Sequence, residues 1–278
     1  MSMVGRSTTS ARSGEGTSSV AADVAAAIAD QDVAIRLESV HRAYRTGRTS
    51  VTALEGISLV VPRGSFTCIV GASGCGKSTM LNLIAGLDQP SAGKVTVHGR
   101  TGLMFQESAL FPWLTVAANV ELPLKLRKVP RVRRRERVAE LLDLVHLGDF
   151  AKKRPHELSG GMRQRVALAR SFAQDADVLL MDEPFAALDA MTRDTMHDEL
   201  ESIWQRTGCT VLFVTHNVRE AARLGDRIML LSSRPGRVVD TFDVAIERPR
   251  RIEDRGVGEL STIVTARLRE EVARHGRR

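Results

Sequence analysis

The chain has few cysteines and no long apolar run. None of its 278 residues lies in a stretch approaching the roughly 18 consecutive apolar residues that a membrane-spanning helix needs, so the chain is expected to be soluble. Cys68, Cys75 and Cys209 have neither an even count nor metal-ligand spacing, a pattern that suits a reducing cytosol. Residues 1–32 lack the apolar core of a secretory signal, and their Ser, Thr, Gly and Ala content predicts a disordered tail.

Aromatic residues are also scarce, at 4% of the chain, and this affects how its positive charge is interpreted. The net charge is +7, and the segment 125–137 holds eight basic residues against one glutamate. No aromatic side chains alternate with these charges, which disfavours a nucleic-acid partner. A solvated helix face is the first interpretation, and contact with anionic lipid headgroups or an acidic partner is the alternative.

A glycine-rich loop follows the β-type run 66–70 and precedes the helix-like run 79–85. Its glycines let backbone N–H groups approach phosphate oxygens, and the N-terminus of the following helix favours an anion. This order predicts a nucleotide site in which Lys77 reaches the β and γ phosphates and Ser78 ligates Mg²⁺. A plain glycine-rich connector is the alternative. The loop comprises Gly71, Ala72, Ser73, Gly74, Cys75, Gly76, Lys77, Ser78 and Thr79.

Cys75 has unusual surroundings within this loop. It lies beside Lys77 and the positive end of the expected helix, and both favour a thiolate. The sequence therefore predicts a lowered pKa for the Cys75 thiol and alkylation that blocks the nucleotide.

Two carboxylates follow the apolar run 178–181. Such a run suits a strand buried on both faces of a parallel sheet, and ligands bind at the carboxyl ends of these strands. Asp182 is therefore predicted to hold Mg²⁺, and Glu183 to orient or deprotonate a water that attacks the γ phosphate. Surface acids after a strand are the alternative. His216 follows a second apolar run, 210–215, and either contacts the γ phosphate or simply begins a helix.

Two further positions are ambiguous from the residues alone. Ser159, with Gly160 and Gly161, precedes a helical pattern and suits either an anion or an ordinary helix N-cap. Tyr44 is the only tyrosine, and its ring suits core packing and base stacking equally.

The pattern of apolar residues predicts an α/β fold. Strand-like runs flank a mainly helical insertion over about residues 107–173, and a hairpin-like element over 227–241 follows. The chain is charged from residue 248 to 278, with a helix predicted over 260–272.

The order and spacing of these pieces resemble the nucleotide-binding subunit of an ATP-binding cassette (ABC) transporter over residues 33–247. The segment 158–164, Leu-Ser-Gly-Gly-Met-Arg-Gln, is similar to the family signature and is more specific than a phosphate loop. The resemblance implies a P-loop NTPase core with a parallel sheet, an N-terminal antiparallel β subdomain and a helical subdomain carrying the signature. It also implies roles for single residues: adenine stacking by Tyr44, sensing of Mg²⁺ and of the attacking water by Gln106, Mg²⁺ binding by Asp182, catalysis by Glu183, a D-loop role for Asp189 and a switch role for His216.

Within the family, segments 111–115, 182–190, 211–216 and 231–237 are similar to nitrate, sulfonate and taurine importers, although Ala186 stands where glycine is frequent. This resemblance implies an ATPase that uses ATP and Mg²⁺ to energise import of a small solute, peripheral at the cytoplasmic face of the cell membrane. The implied partners are permease subunits, a substrate-binding protein and a second copy of the chain whose signature closes over the ATP, with no nucleic acid. An exporter ATPase, or a soluble cassette ATPase acting on nucleic acid or ribosomes, is the alternative.

Phe111 and Trp113 lie at the start of the helical insertion. The resemblance places this stretch in the groove that receives a short helix from the membrane subunit. A core role is the alternative, since large aromatic residues are mostly buried in their own domain.

Overall fold

The computed structural model describes residues 32–47, 49–186 and 188–275. The tail predicted over residues 1–32 lies outside the described residues except for Asp32. Within the described ranges, no helix is both long enough and apolar enough to cross a membrane.

Nine strands in these ranges form two sheets. In chain order they are β1 (Val33–Thr46), β2 (Thr49–Pro62), β3 (Phe66–Val70), β4 (Ala92–Val97), β5 (Thr101–Met104), β6 (Val178–Asp182), β7 (Thr210–Thr215), β8 (Arg227–Leu231) and β9 (Val238–Asp243). Strands β2, β1 and β4 form an antiparallel sheet, and the others form a central sheet in the order β5-β6-β7-β3-β8-β9. The central strands run parallel except β9, which closes the predicted hairpin with β8. The predicted α/β fold with an antiparallel β subdomain is confirmed.

Seven α-helices surround the sheets in the described part of the chain. They are α1 (Lys77–Ile84), α2 (Val116–Leu126), α3 (Arg131–Leu144), α4 (Gly160–Phe172), α5 (Ala190–Thr207), α6 (Val218–Leu224) and α7 (Arg255–His275). Helices α2, α3 and α4 form the insertion between β5 and β6, with short 3₁₀ turns at Gly148–Phe150 and Pro155–Glu157. Helix α7 covers the segment predicted as helical near the C-terminus and packs against α6.

The central sheet lies between two apolar cores. Alternate side chains of β3 enter opposite cores, because successive residues of a strand face opposite ways. Phe66, Cys68 and Val70 join the core that contains the helical insertion, and Ile69 joins the core formed with α1 and the antiparallel sheet. Burial on both faces explains the continuous apolar runs of β3 and β7. The carboxyl ends of these strands are therefore the edge at which polar groups collect.

The basic run 125–137 falls on the end of α2, the following turn and the first half of α3. Some of its arginines have acidic partners: Arg134 Nε lies 2.8 Å from Glu121 Oε1, and Arg137 Nη1 lies 3.0 Å from Glu140 Oε2. The Arg137–Glu140 pair is exposed and contributes little to stability, whereas the Arg134–Glu121 pair is partly buried, with side chains 18% and 34% exposed. The solvated helix face stays a prediction for this segment.

Candidate functional site

The phosphate loop joins the end of β3 to the start of α1. Gly74 and Gly76 have φ angles of 74° and 100°, in the left-handed region that favours glycine. At Gly76 a Cβ would also lie 2.8 Å from the carbonyl oxygen of Ala53, so a side chain there would collide with backbone. These glycines let the loop turn tightly and present its N–H groups at the beginning of α1, which starts at Lys77.

Lys77 is held in place by the loop itself. Its side chain is only 5% exposed, and Nζ donates to the carbonyl oxygens of Gly71 at 2.9 Å and Ala72 at 3.2 Å. The same ammonium lies 3.7 Å from Glu183 Oε1. The structure thus brings the predicted phosphate-binding cation and the predicted catalytic carboxylate to one point.

Asp182 and Glu183 stand at the carboxyl end of β6, as the sequence predicted. Burial raises the pKa of Asp182, and a hydrogen bond from the Ser78 hydroxyl partly opposes this rise. Glu183 has a φ of 45°, a conformation uncommon for residues other than glycine, and its N–H donates to Val214 O at 2.9 Å. The strand-to-strand hydrogen bond fixes this unusual backbone and directs the carboxylate towards the loop.

His216 contacts the same carboxylate from the neighbouring strand. It follows the last residue of β7, and its Nδ1 lies 3.0 Å from Glu183 Oε2. Glu183 therefore has Lys77 near one oxygen and His216 near the other. An acid between a buried cation and an imidazole is well placed to orient a polar reactant such as water.

Lys77, Ser78, Asp182 and Glu183 line a cavity of about 430 Å³ together with Gln106 and Tyr44, whereas His216 contacts Glu183 from outside this lining. Tyr44 lies within β1 opposite Val51 of β2, rather than in a loop between two shorter strands. Its hydroxyl donates to Asp88 Oδ2 at 2.8 Å, and the Arg42 guanidinium lies 4.5 Å from the ring centroid. With 37% of its surface exposed, Tyr44 is a wall of the cavity and not core filler. Base stacking by this ring stays a prediction.

The donor set near the loop fits Mg²⁺. The Ser78 hydroxyl, the Asp182 carboxylate and the Gln106 side chain face one cavity, and all can supply the oxygen ligands that this ion prefers. Among the described residues, no group of three or more His, Cys, Asp or Glu side chains could hold a metal ion. Magnesium usually binds through one or two carboxylates plus substrate phosphates, so a single half-buried aspartate is consistent with such a site.

Ser159 and Asp189 lie outside this cavity. Ser159 caps α4, its Oγ accepting from the N–H of Met162 at 3.2 Å, and a Cβ on Gly161 would lie 3.5 Å from Leu188. Asp189 caps α5, and hydrogen bonds from the backbone and hydroxyl of Thr192 lower its pKa. Ser159, Gly160 and Asp189 are all exposed. The signature segment and the D-loop segment are therefore neighbours on the surface, away from the nucleotide loop of their own chain.

Arg234 is a cavity residue that sequence reasoning missed. It lies in the turn between β8 and β9, and its Nε donates to Gly74 O at 2.9 Å. Gly236 of the same turn donates to Ala53 O at 2.9 Å, which anchors the turn against β2. In the sequence, the segment 231–237 is similar to importer ATPases and contains a predicted turn. Nothing local in it predicts a contact between Arg234 and Gly74, which lies 160 residues earlier.

The prediction of a lowered pKa for the Cys75 thiol was wrong. Its side chain is only 1% exposed, and burial raises the pKa of the thiol. Lys77 and nearby backbone groups act in the other direction, but the loss of water outweighs them. The sulfur packs beneath the loop, 2.7 Å from where a Cβ on Gly71 would be. Cys75 therefore packs within the loop, and its raised pKa disfavours the thiolate at neutral pH.

A phosphate loop, an acidic pair after a buried strand and a separate glycine-rich helix start define a P-loop NTPase of the cassette type. The family model described as ABC transporter matches residues 54–186. A taurine import ATP-binding protein of Rhizobium johnstonii is 47% identical over 246 residues, covering 84% of this chain and 92% of that protein. A nitrate import ATP-binding protein of Synechocystis sp. is 47% identical over 212 residues, covering 73% of this chain and 80% of that protein.

Solved structures agree with these relatives. The dimeric post-hydrolysis state of the ATP-binding cassette MJ0796, bound to ADP and Pi, is 34% identical, with a TM-score of 0.71. The match covers 77% of this chain and 100% of that one. The chain belongs to the ABC transporter family, within the group of import ATPases, and it binds and hydrolyses ATP.

Proposed function

We propose that this chain hydrolyses MgATP to drive import of a small solute of the nitrate, sulfonate or taurine class through separate permease subunits. The observation that carries this proposal is the cavity beside the phosphate loop, which Lys77, Asp182 and Glu183 line, with His216 in contact with Glu183 from outside it. The solute class is supported by the similarity to the taurine and nitrate import ATP-binding proteins.

Ser78, Gln106 and Asp182 would hold the Mg²⁺ ion. The ion would supply positive charge that offsets the negative charge developing on the transferred phosphoryl group. Ser78 and Asp182 line the same cavity beside the phosphate loop, so both can supply oxygen ligands to one ion there.

Hydrolysis then depends on positioning and electrostatics. Lys77 meets negative charge on the phosphates, since its ammonium is fixed by two carbonyl groups at the loop. Glu183 orients the attacking water and accepts its proton, and His216 holds Glu183 Oε2 from the opposite side. Tyr44 would stack on the adenine, and Gln106 would help to hold the ion and orient the attacking water.

A second copy of the chain completes the site. Ser159, Gly160, Gly161 and Asp189 lie outside the cavity of their own chain, and all but the half-buried Gly161 are exposed. We propose that in a homodimer these residues close over the ATP held by the partner's phosphate loop. The dimeric cassette structures with 34% and 35% identity support this arrangement.

The exposed aromatic pair Phe111 and Trp113 is the proposed docking point for the permease. The ring centroids lie 5.5 Å apart, and Trp113 is 68% exposed. Buried Asn119 fixes this loop, because its amide accepts from Phe111 N and donates to three backbone carbonyl groups. Docking there would hold the subunit at the cytoplasmic face of the cell membrane, where a substrate-binding protein delivers solute to the permease from the other side.

Solute uptake in a strain lacking this gene tests the proposal. Labelled taurine, an alkanesulfonate and nitrate are supplied separately, and the strain is complemented with the parental chain, Lys77→Ala or the exposed-surface control Lys94→Ala. Uptake of one solute should require the parental chain or the control and should fail with Lys77→Ala. Uptake that is the same whichever version of the chain is supplied would overturn the import proposal. So would a defect in solute efflux in place of a defect in uptake.

A further inference from the structure

Glu220 is a buried acid next to the catalytic groups that the proposed mechanism does not use. It lies on α6, is only 4% exposed, and accepts a hydrogen bond of 2.6 Å from the Thr215 hydroxyl through Oε2. The Thr215 Oγ1 atom in turn accepts from the N–H of Asn217 at 3.0 Å. His216 lies between Thr215 and Asn217 in the chain. Through the Thr215 hydroxyl, Glu220 therefore anchors the backbone on both sides of His216.

The other oxygen of Glu220 faces Arg193 on α5. Arg193 Nε lies 3.5 Å from Glu220 Oε1, and its Nη2 donates to Leu188 O at 2.7 Å. Arg193 Nε also donates to Phe185 O at 3.3 Å. The guanidinium thus holds the main chain immediately before Asp189. Through Arg193, Glu220 is tied to the D-loop segment as well as to the histidine.

The charge of Glu220 is supported by its surroundings. Burial raises the pKa of this carboxyl, but the His197 ring, the Thr215 hydroxyl and Arg193 outweigh it, and the pKa is lowered overall. His197 Nε2 lies 3.7 Å from Glu220 Oε1. A buried carboxylate with a cation on one side and a hydroxyl on the other is a fixed, directional anchor, since both partners must keep their positions to compensate the charge.

A small cavity of about 30 Å³ separates this anchor from the reacting groups. Its lining includes Glu183, His216, Arg193 and Glu220. Glu220 does not line the nucleotide cavity, so any effect on hydrolysis must pass through its neighbours.

We propose that Glu220 is a positioning residue for ATP hydrolysis, which sets the His216 loop and the Asp189 segment in register with Glu183. This inference rests on the catalytic roles proposed for Glu183 and His216. The contacts of Glu220 with Thr215 and Arg193 hold the segments that carry His216 and Asp189. Both segments must be placed correctly when the cassette dimer closes. Loosening either bond displaces a catalytic or partner-facing group without changing the phosphate loop.

The experiment measures ATPase rates of the purified full chain with Glu220→Gln and Thr215→Val. Displacement of reacting groups by about 1 Å can cost on the order of 100-fold in rate, so a fall in kcat of about 10-fold or more is expected. The KM for ATP should change less than about two-fold, because nucleotide binding is not touched. Thr215→Ser keeps the hydroxyl and should restore kcat to near the parental value.

The matched control is Glu201→Gln on α5. Glu201 is a buried acid, 6% exposed, whose partner Arg248 at 2.5 Å lies away from both loops. The Glu201→Gln substitution should lower the melting temperature while leaving kcat per folded molecule unchanged. If Glu220→Gln does not fold, the comparison of Thr215→Val with Thr215→Ser decides the question.

Two outcomes would overturn the inference. One is an unchanged kcat in Glu220→Gln or Thr215→Val, and the other is a loss of rate equal to that of Glu201→Gln at the same loss of stability. Glu183→Gln separates this failure from failure of the mechanism. If Glu183→Gln is inactive while Glu220→Gln is normal, only the positioning role is wrong.

Discussion

Replacing Trp113 by alanine should leave the fold intact while removing permease binding. A tryptophan side chain can bury up to about 250 Å², and Trp113 is 68% exposed, so only about 80 Å² is buried within the chain. At about 25 cal/mol per Å² this burial is worth about 2 kcal/mol as an upper bound. Fully buried tryptophans cost about 3–5 kcal/mol when truncated. We therefore expect a modest loss of stability for Trp113→Ala.

Trp204 provides the matched control, since the chain has two tryptophans. Its ring packs edge-on against Phe66 at 5.6 Å, its Nε1 donates to Gly64 O at 3.1 Å, and Arg248 lies 4.5 Å from the ring. Thermal unfolding of both alanine variants, followed by copurification with the permease subunits, gives the two readouts. Trp113→Ala should unfold close to the parental temperature and fail to copurify, whereas Trp204→Ala should unfold at a much lower temperature.

The reasoning is refuted if Trp113→Ala unfolds as early as Trp204→Ala. It is also refuted if the folded Trp113→Ala variant copurifies with the permease as well as the parental chain does. In the first case Trp113 contributes to the core, and in the second the docking surface lies elsewhere.

Two further predictions concern the phosphate loop. Because burial raises the pKa of Cys75, maleimide should label it slowly at neutral pH and faster as the pH rises towards the alkaline thiol pKa; rapid labelling of the native chain at pH 7 would contradict the burial. Arg234→Ala should weaken ATP binding about five-fold, the effect of losing about 1 kcal/mol of hydrogen bonding at the loop, measured by titration with a fluorescent ATP analogue. Arg237→Ala, which breaks only an exposed pair with Glu55, should bind ATP normally, and equal effects of the two variants would remove Arg234 from the site.

The sequence predicted the parts of the site whose chemistry is local. The phosphate loop needs glycines with positive φ next to a helix start, and Asp182 needs only the end of a buried strand, so short patterns were sufficient. The parallel order of the central strands could be expected because their apolar runs demand cover on both faces.

The rest depends on contacts between distant segments. Cys75 was misjudged because its charged neighbours are visible in the sequence, while its burial beneath Gly71 is a property of the folded loop. Arg234 and Glu220 were missed for the same reason. The partner of Arg234 lies in another part of the chain, and Glu220 on α6 contacts Arg193 on a different helix, α5.

ATP hydrolysis by Glu183→Gln tests the central claim most directly. The amide keeps the shape of the side chain but cannot accept the proton of the attacking water. With ATP and Mg²⁺, the purified variant should bind nucleotide, elute as a dimer in size-exclusion chromatography and show no steady-state phosphate release above background. Hydrolysis at the parental rate by the same variant would show that Glu183 is not the catalytic carboxylate and would contradict the account.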